Sequence, residues 1–377
     1  MKQHRLTLKK QALSGMVALS LLLCSAHTTF AADETFSEPV GFNTFNCLAN
    51  SDTIIGIGFH RPSVFQGRVN TFNGTALKVE FAETAPFVAN QFVFNSTLQT
   101  NTYYVLLTSG QKVGAWVAVT ANTVDTLTLD STGIDLAGVA AGDTFKVIPF
   151  WTLATLFPEG GGLPTNLGFS PANSEVQLPQ SYIPGINLGI LYRYYYYSGA
   201  AVGGPGWRRA GGGLSIVDNQ IIVPDTYLVA RNLTANSAPL VVSGAVQMSA
   251  VRTSLATLAD GVAQDSSLSI ATPVEISLAE TGFYQSGAFK GNNGFSPVDE
   301  LQVFDNTQPG MNKAVAKRYY YYTGAAAGGP GWRLAGGGLS LRDTETIPAG
   351  GAIIIRKKAT STAQSLDATT LLRYHQQ

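Results

Sequence analysis

Short apolar runs rich in β-branched and aromatic residues, separated by polar turns, dominate the chain. Residues 53–57, 76–81, 91–94, 102–107, 115–119, 126–129 and 144–148 are rich in Ile, Val, Thr, Tyr and Phe and are bounded by turn formers. This is the signal of β-strands. Asn73-Gly74, between two such runs, is a hairpin signal. Strands recurring every ~10 residues predict a sandwich or a barrel. One stretch has a helical period. Met248, Val251, Leu255 and Leu258 lie three to four positions apart in a segment free of glycine until Gly261, which predicts one helix within residues 247–262.

The pattern also repeats at long range. Residues 193–218 recur 125 positions later, at 318–343, with 21 of 26 residues identical. The five differences are Ser198/Thr323, Val202/Ala327, Arg209/Leu334, Ile216/Leu341 and Val217/Arg342. Upstream, Pro184-Gly185 and Asn187 match Pro309-Gly310 and Asn312, and Gly168-Phe169-Ser170-Pro171 matches Gly294-Phe295-Ser296-Pro297. Downstream, Pro224 and Pro348 each precede an apolar strand that ends in Arg231 or Arg356. A weaker likeness joins residues 46–51 to 232–237, which share Asn, Ala, Asn and Ser. The chain therefore reads as a connector and a unit, twice over, with the first connector enlarged into a domain. Expected boundaries are an export signal at 1–31, an N-terminal β-domain at 33–149, a first repeat unit at 150–233, a connector at 234–273, a second unit at 274–358 and a tail at 359–377. The fold class is all-β: tandem sandwich-like or barrel-like units with at most one short helix.

Composition changes this picture mainly at the N-terminus. Lys2, Arg5, Lys9 and Lys10 precede a short apolar run, and small residues follow at Thr29 and Ala31, the layout of a secretory signal cut after Ala31. The protein is expected to be secreted, to the periplasm or beyond the cell, with no transmembrane segment in the mature chain. The full chain balances 24 basic against 24 acidic residues. Loss of the four signal cations leaves 20 against 24, a mature net charge of −4. Without a basic block there is no electrostatic footprint for nucleic acid.

Candidate chemistry is sparse. Cys24 leaves with the signal, so Cys47 stands alone, and its apolar neighbours Phe45 and Leu48 suggest a buried small hydrophobe. Outside the signal only His60 and His375 remain, with no paired-histidine or CxxC spacing, so no metal and no cofactor is expected. No G-x-S-x-G elbow accompanies His60, and Gly211-Gly212-Gly213 lacks the Lys-Ser/Thr of a phosphate loop. Asp218, Asp343, Asp299, Glu300 and Asp305 are the carboxylates available for hydrolytic chemistry, and their positions read better as turn caps and loops. The chain is read as not an enzyme.

The duplicated cassette is the one specific feature. Alternation along 193–197 puts Tyr194 and Tyr196 on one strand face and Tyr195 and Tyr197 on the other. Tyr195, Tyr197, Trp207 and Arg208, with their counterparts Tyr320, Tyr322, Trp332 and Arg333, suit a carbohydrate platform, in which ring faces stack on sugars and arginines bind hydroxyls. The same residues suit a brace, in which the rings fill a core and the arginines stack on them. Burial of the two indoles would favour the brace. The Tyr-rich strand, Gly-Trp-Arg turn, triple glycine, Asp, Ile-Pro and closing strand ending in Arg resemble a family of secreted bacterial all-β proteins with no assigned activity. That resemblance implies secretion and architecture and brings no catalytic residues. The expected function is a non-enzymatic structural or self-associating protein of the bacterial envelope, with another copy of itself or a cell-surface glycan as partner. The alternative is a carbohydrate-binding protein using the cassettes.

Overall fold

The computed structural model describes residues 37–81, 83–180, 183–201, 203–258, 262–326 and 328–358, and the backbone of 364–370. The export segment expected at 1–31 and the last residues, 371–377, lie outside the described residues. The described chain is almost entirely strands and turns, as an all-β fold requires.

It opens with β1 (Val40–Cys47), β2 (Ser51–Ile55) and β3 (Phe59–His60). Six strands then close into a barrel: β4 (Phe65–Phe72), β5 (Ala76–Val79), β6 (Tyr103–Leu107), β7 (Trp116–Asn122), β8 (Thr126–Leu129) and β9 (Thr144–Pro149), in the order β4-β5-β8-β7-β6-β9. Alternation dictates which side chains fill it. Val117 and Val119 of β7 and Leu127 and Leu129 of β8 are buried, and they join Val69, Leu77, Val105, Phe145 and Val147 in one core. The barrel is packed solid, as expected for so few strands. Its first hairpin turns at Asn73-Gly74: Asn73 Oδ1 accepts from the Ala76 amide (2.9 Å), and Gly74 takes φ +97°. Residues 91–94, an expected strand, instead form turns. The Asn122 side chain accepts the Phe92 amide at 2.9 Å, and the buried Phe92 ring meets Phe87 and Tyr103 edge-on, so this segment plugs the barrel core and adds no strand to the wall.

The chain continues through β10 (Trp151–Thr152), the single described α-helix α1 (Leu153–Leu156), β11 (Ser174–Pro179), β12 (Ile190–Tyr197), β13 (Gly206–Arg209), β14 (Ile221–Ile222), β15 (Leu228–Asn232) and β16 (Ala238–Val246). Next come β17 (Val251–Thr257), β18 (Gln264–Ser269), β19 (Ile276–Ser277), β20 (Glu300–Val303), β21 (Lys317–Tyr322), β22 (Gly331–Leu334), β23 (Thr346–Ile347), β24 (Ala352–Lys357) and β25 (Gln364–Thr370). The helix expected within 247–262 is therefore a strand, β17. Residues 251–257 also alternate, burying Thr253, Leu255 and Thr257, and all seven pair with β25. A partner strand distant in sequence decides between two periods that the local pattern leaves open.

Two five-stranded sheets result, β13-β12-β11-β15-β2 and β22-β21-β20-β24-β18, with identical strand order. Strand for strand, β2 corresponds to β18, and the pairs β1·β16 and β10·β14 correspond to β17·β25 and β19·β23. The duplication thus extends beyond the stretch of sequence identity. Residues 234–273 carry β16, β17 and β18, and the barrel sits between β2 and β10 of the first copy. In each copy the five-stranded sheet packs on a smaller one. Ile55, Leu153, Phe157, Tyr194, Trp207 and Val242 lie in the first core, and Leu255, Phe289, Leu301, Tyr319, Trp332 and Ile353 in the second. Residues 46–51 and 232–237 resemble each other because they are neighbouring crossovers. The Asn50 amide donates to Thr234 O (3.0 Å), and the Asn232 side chain donates to Cys47 O (3.1 Å).

Candidate functional site

The eight cassette residues are all inside. Trp207 and Trp332 are each 1% exposed, Arg208 and Arg333 0%, and Tyr195, Tyr197, Tyr320 and Tyr322 at most 3%. The strand register explains the arrangement. Trp207 lies opposite Tyr196 and points into the first core, while Arg208 lies opposite Tyr195 on the other face; Trp332/Tyr321 and Arg333/Tyr320 repeat this. Each arginine fastens the glycine-rich turn beside it. Arg208 donates to Gly204 O (2.8 Å) and Leu214 O, and Arg333 to Gly329 O (2.7 Å) and Trp332 O (3.1 Å). Their guanidinium groups lie 5.0 Å from the centroid of Tyr197 and 5.3 Å from that of Tyr322, and Phe169 and Phe295 stack on those same tyrosines. Asp218 and Asp343 close the turn by accepting the Trp207 and Trp332 amides, at 2.8 and 2.7 Å. Glycine is required here: Gly203, Gly204, Gly328 and Gly329 all take φ between +78° and +88°, a region costly for other residues.

A second duplicated element joins the two units crosswise. In the first unit Arg231 grips Asp52 through two bonds (2.6 and 2.8 Å) and also donates to Asn312 Oδ1 (2.7 Å) of the second. Arg356 does the same with Asp265 (2.7 and 2.8 Å) and Asn187 (2.8 Å). The amides of Asn312 and Asn187 donate back to Asp52 and Asp265, at 2.6 and 2.7 Å. The Pro-Gly-x-Asn loops legible as a repeat are therefore reciprocal arms, each laid on the edge strand, β2 or β18, of the other copy's five-stranded sheet. Ile54, Tyr227, Val229 and Ala352, with Phe304 and Ile354 packed against them, fill the space between the sheets.

The remaining carboxylates named from sequence are likewise committed. Asp299 is fully buried against Lys357 and accepts the amides of Lys290 (2.7 Å) and Lys358 (3.0 Å). Glu300 accepts from Gln302 (2.9 Å), and Asp305 holds a turn with Thr307 (2.8 Å). Cys47 is buried, and burial pushes its thiol up to about 11, so it is protonated and unreactive at neutral pH. His60 is buried and lies 2.7 Å from Arg61 O. Among the described residues no group of three or more His, Cys, Asp or Glu is placed to hold a metal, and no helix is long and apolar enough to cross a membrane.

One feature is not duplicated. Where the outer face of barrel strand β7 meets β17, β18 and the turn between β14 and β15, a cavity of about 640 Å³ opens. Trp116, Phe150, Ile183, Ile221 and Leu268 give it a largely apolar wall. Trp116, Phe150 and Tyr104 form a ring cluster with centroids 4.8–6.0 Å apart. Asp225 also lines the cavity, as does Arg252, whose guanidinium donates to Val113 O (3.2 Å) and Gln111 O (2.7 Å) and so ties β17 to the barrel. Burial pushes the Asp225 carboxyl up to about 6, and bonds from its own backbone amide and the Trp116 side chain offset only part of that rise. Sequence reading missed this residue, because Asp in Val-Pro-Asp is an ordinary turn former. The available signal was the mismatch between duplicated turns, Asp225 in one and Ala349-Gly350 in the other. Compared with protein-family models, with curated proteins and with solved structures, the chain matches none.

Proposed function

We propose that the chain is an exported, non-enzymatic structural protein of the bacterial envelope, built from a unit that recognises a copy of itself. The observation that carries this reading is the crosswise pair of arms. A surface on one unit binds the same surface on the other through equivalent contacts, Arg231–Asp52–Asn312 and Arg356–Asp265–Asn187, as in a two-fold homodimer fused into one chain. The same contacts made between two chains would exchange units and produce a swapped dimer, which is the route to self-association that this fold favours. Stacking on sugars needs open ring faces, so the burial of the cassette favours bracing over a glycan platform at those eight residues.

The test combines cell fractionation with sedimentation velocity of the secreted protein. The expected result is a chain outside the cytoplasm, beginning at Ala32, that forms dimers at raised concentration without added ligand. A cytosolic chain with its N-terminus intact, or a strict monomer whose glycan binding is lost in a folded Trp207→Phe/Trp332→Phe variant, overturns the reading.

A further inference from the structure

The cavity beside the barrel has the features of a ligand site that the duplicated scaffold does not need. Its volume, about 640 Å³, lies within the ~300–1,000 Å³ usual for small-molecule pockets, and its wall is mostly apolar in area, with serine and threonine hydroxyls and three charged side chains at its polar part. The pseudo-symmetry isolates the residue of interest. The Ser269 amide donates to Asp225 O (2.9 Å), and at the equivalent place in the other half the Gly56 amide donates to Gly350 O (2.8 Å). The backbone role is the same, yet one half does without any side chain. A carboxylate at Asp225 is therefore not demanded by the turn.

Nor does an ion pair within the protein account for it. Among the described residues no ion pair includes Asp225; Trp116 and its own amide are what meet the carboxyl, and burial penalises its charge. Arg252, the cation on the wall, donates to the barrel carbonyls of Val113 and Gln111. Asp130, exposed at the edge of the cavity, adds a second negative charge. Trp116 and Phe150 put aromatic surface on the same wall as the carboxylate, a combination that favours cations.

We propose that this cavity binds a small amphipathic organic cation, an alkyl- or aryl-substituted ammonium, with its charged head paired to Asp225 and its apolar body against Trp116 and Phe150. The ligand supplies the counter-charge the protein withholds, and its hydrocarbon part displaces water from the apolar wall.

The experiment titrates the mature full-length chain with n-octylamine, n-octanol and n-octanoate by calorimetry. Octylamine is expected to bind at least roughly tenfold more tightly than octanoate, with octanol between them. Asp225→Asn, a near-isosteric change, is expected to weaken octylamine by roughly tenfold or more and to leave octanol within about twofold. Ala118→Trp, which fills the cavity from β7, is expected to abolish all three while the melting transition stays cooperative. The proposal is overturned if none of the probes binds the unmodified chain, if octanoate binds as well as octylamine, or if Asp225→Asn retains full affinity for the amine.

Discussion

The duplicated sheets and the junction between them and the barrel use polar residues in opposite ways. In the sheets every buried charge marked by repetition has its partner nearby: Arg231 on Asp52, Arg356 on Asp265, Arg208 and Arg333 on turn carbonyls. At the junction Asp225 is half-buried beside the cavity without a counter-charge among the described residues, and its twin position carries no side chain at all. Repetition within this chain therefore marks what the fold needs. A ligand is better sought where the two copies differ, because a residue that burdens stability and serves no brace needs another explanation.

The sharpest way to break the comparison is to cut into a brace. Trp207→Ala or Trp332→Ala removes the largest side chain of its core and should each destabilise the protein by about 3–5 kcal/mol, read by chemical denaturation. A loss below about 1 kcal/mol in either would mean that the indoles do not hold the fold. The crosswise arms come next. Asp52→Ala leaves Arg231, 15% exposed, with only its longer contact to Glu175 (3.5 Å), and Asp265→Ala leaves Arg356, 21% exposed, without the Asp265 carboxylate. Partial solvent access discounts the usual penalty for a broken buried pair, so about 3 kcal/mol is expected for each. Equal losses in the two variants support the pseudo-two-fold reading, and a large loss in only one refutes it.

Much of this architecture is legible in the sequence, and the gaps have physical causes. Barrel strands such as β8 announce themselves because Leu127 and Leu129 alternate with threonines. Strand β4 does not, since Gly67, Arg68 and Asn70 interrupt its pattern and it exists by virtue of its partners β5 and β9. The two copies share most residues of the arms and cassettes, but β1 and β17 share only their burial rhythm, so the ends of the duplication show in strand order and not in identity. The cassette itself is fully legible as a repeat. What identity cannot encode is accessibility: Tyr, Trp and Arg serve glycan platforms and cores equally well, and the register of β12 with β13 decides.

The junction is probed by Asp225→Asn, with the opposite sign from the braces. The carboxyl has an ordinary value of 3.8 and is raised to about 6 in the folded chain, so the folded state resists ionisation that the unfolded chain accepts. Below about pH 4 both states are neutral there and the residue carries no penalty. As pH rises from about 4 to 6 the unfolded state loses its proton first, and stability falls. Above about 6 the whole penalty, about 2–3 kcal/mol, is in force. Asp225→Asn should therefore match the parent protein near pH 4 and exceed it in stability by about 2 kcal/mol at pH 7.5, measured by urea denaturation across that range. Equal stability at both pH values would mean that the carboxylate is well solvated and the junction no different from the sheets.

The smallest effect separates the two braces from each other. The Trp207 indole donates to Phe157 O at 3.2 Å, whereas the Trp332 Nε1 atom is buried without a hydrogen-bond partner. Replacing Trp207 by Phe forfeits that bond and leaves Phe157 O with the Gly160 amide (3.2 Å) as its donor. The same change at Trp332 removes a buried polar atom that has no partner to lose. Both variants lose part of the packed ring, so the difference between them isolates the hydrogen bond. Trp207→Phe should be the more destabilising by about 1 kcal/mol, resolved by comparing denaturation midpoints at equal slope. If Trp332→Phe proves the worse of the two, ring volume governs both sites, and the two copies are tuned by packing with no contribution from the indole bond.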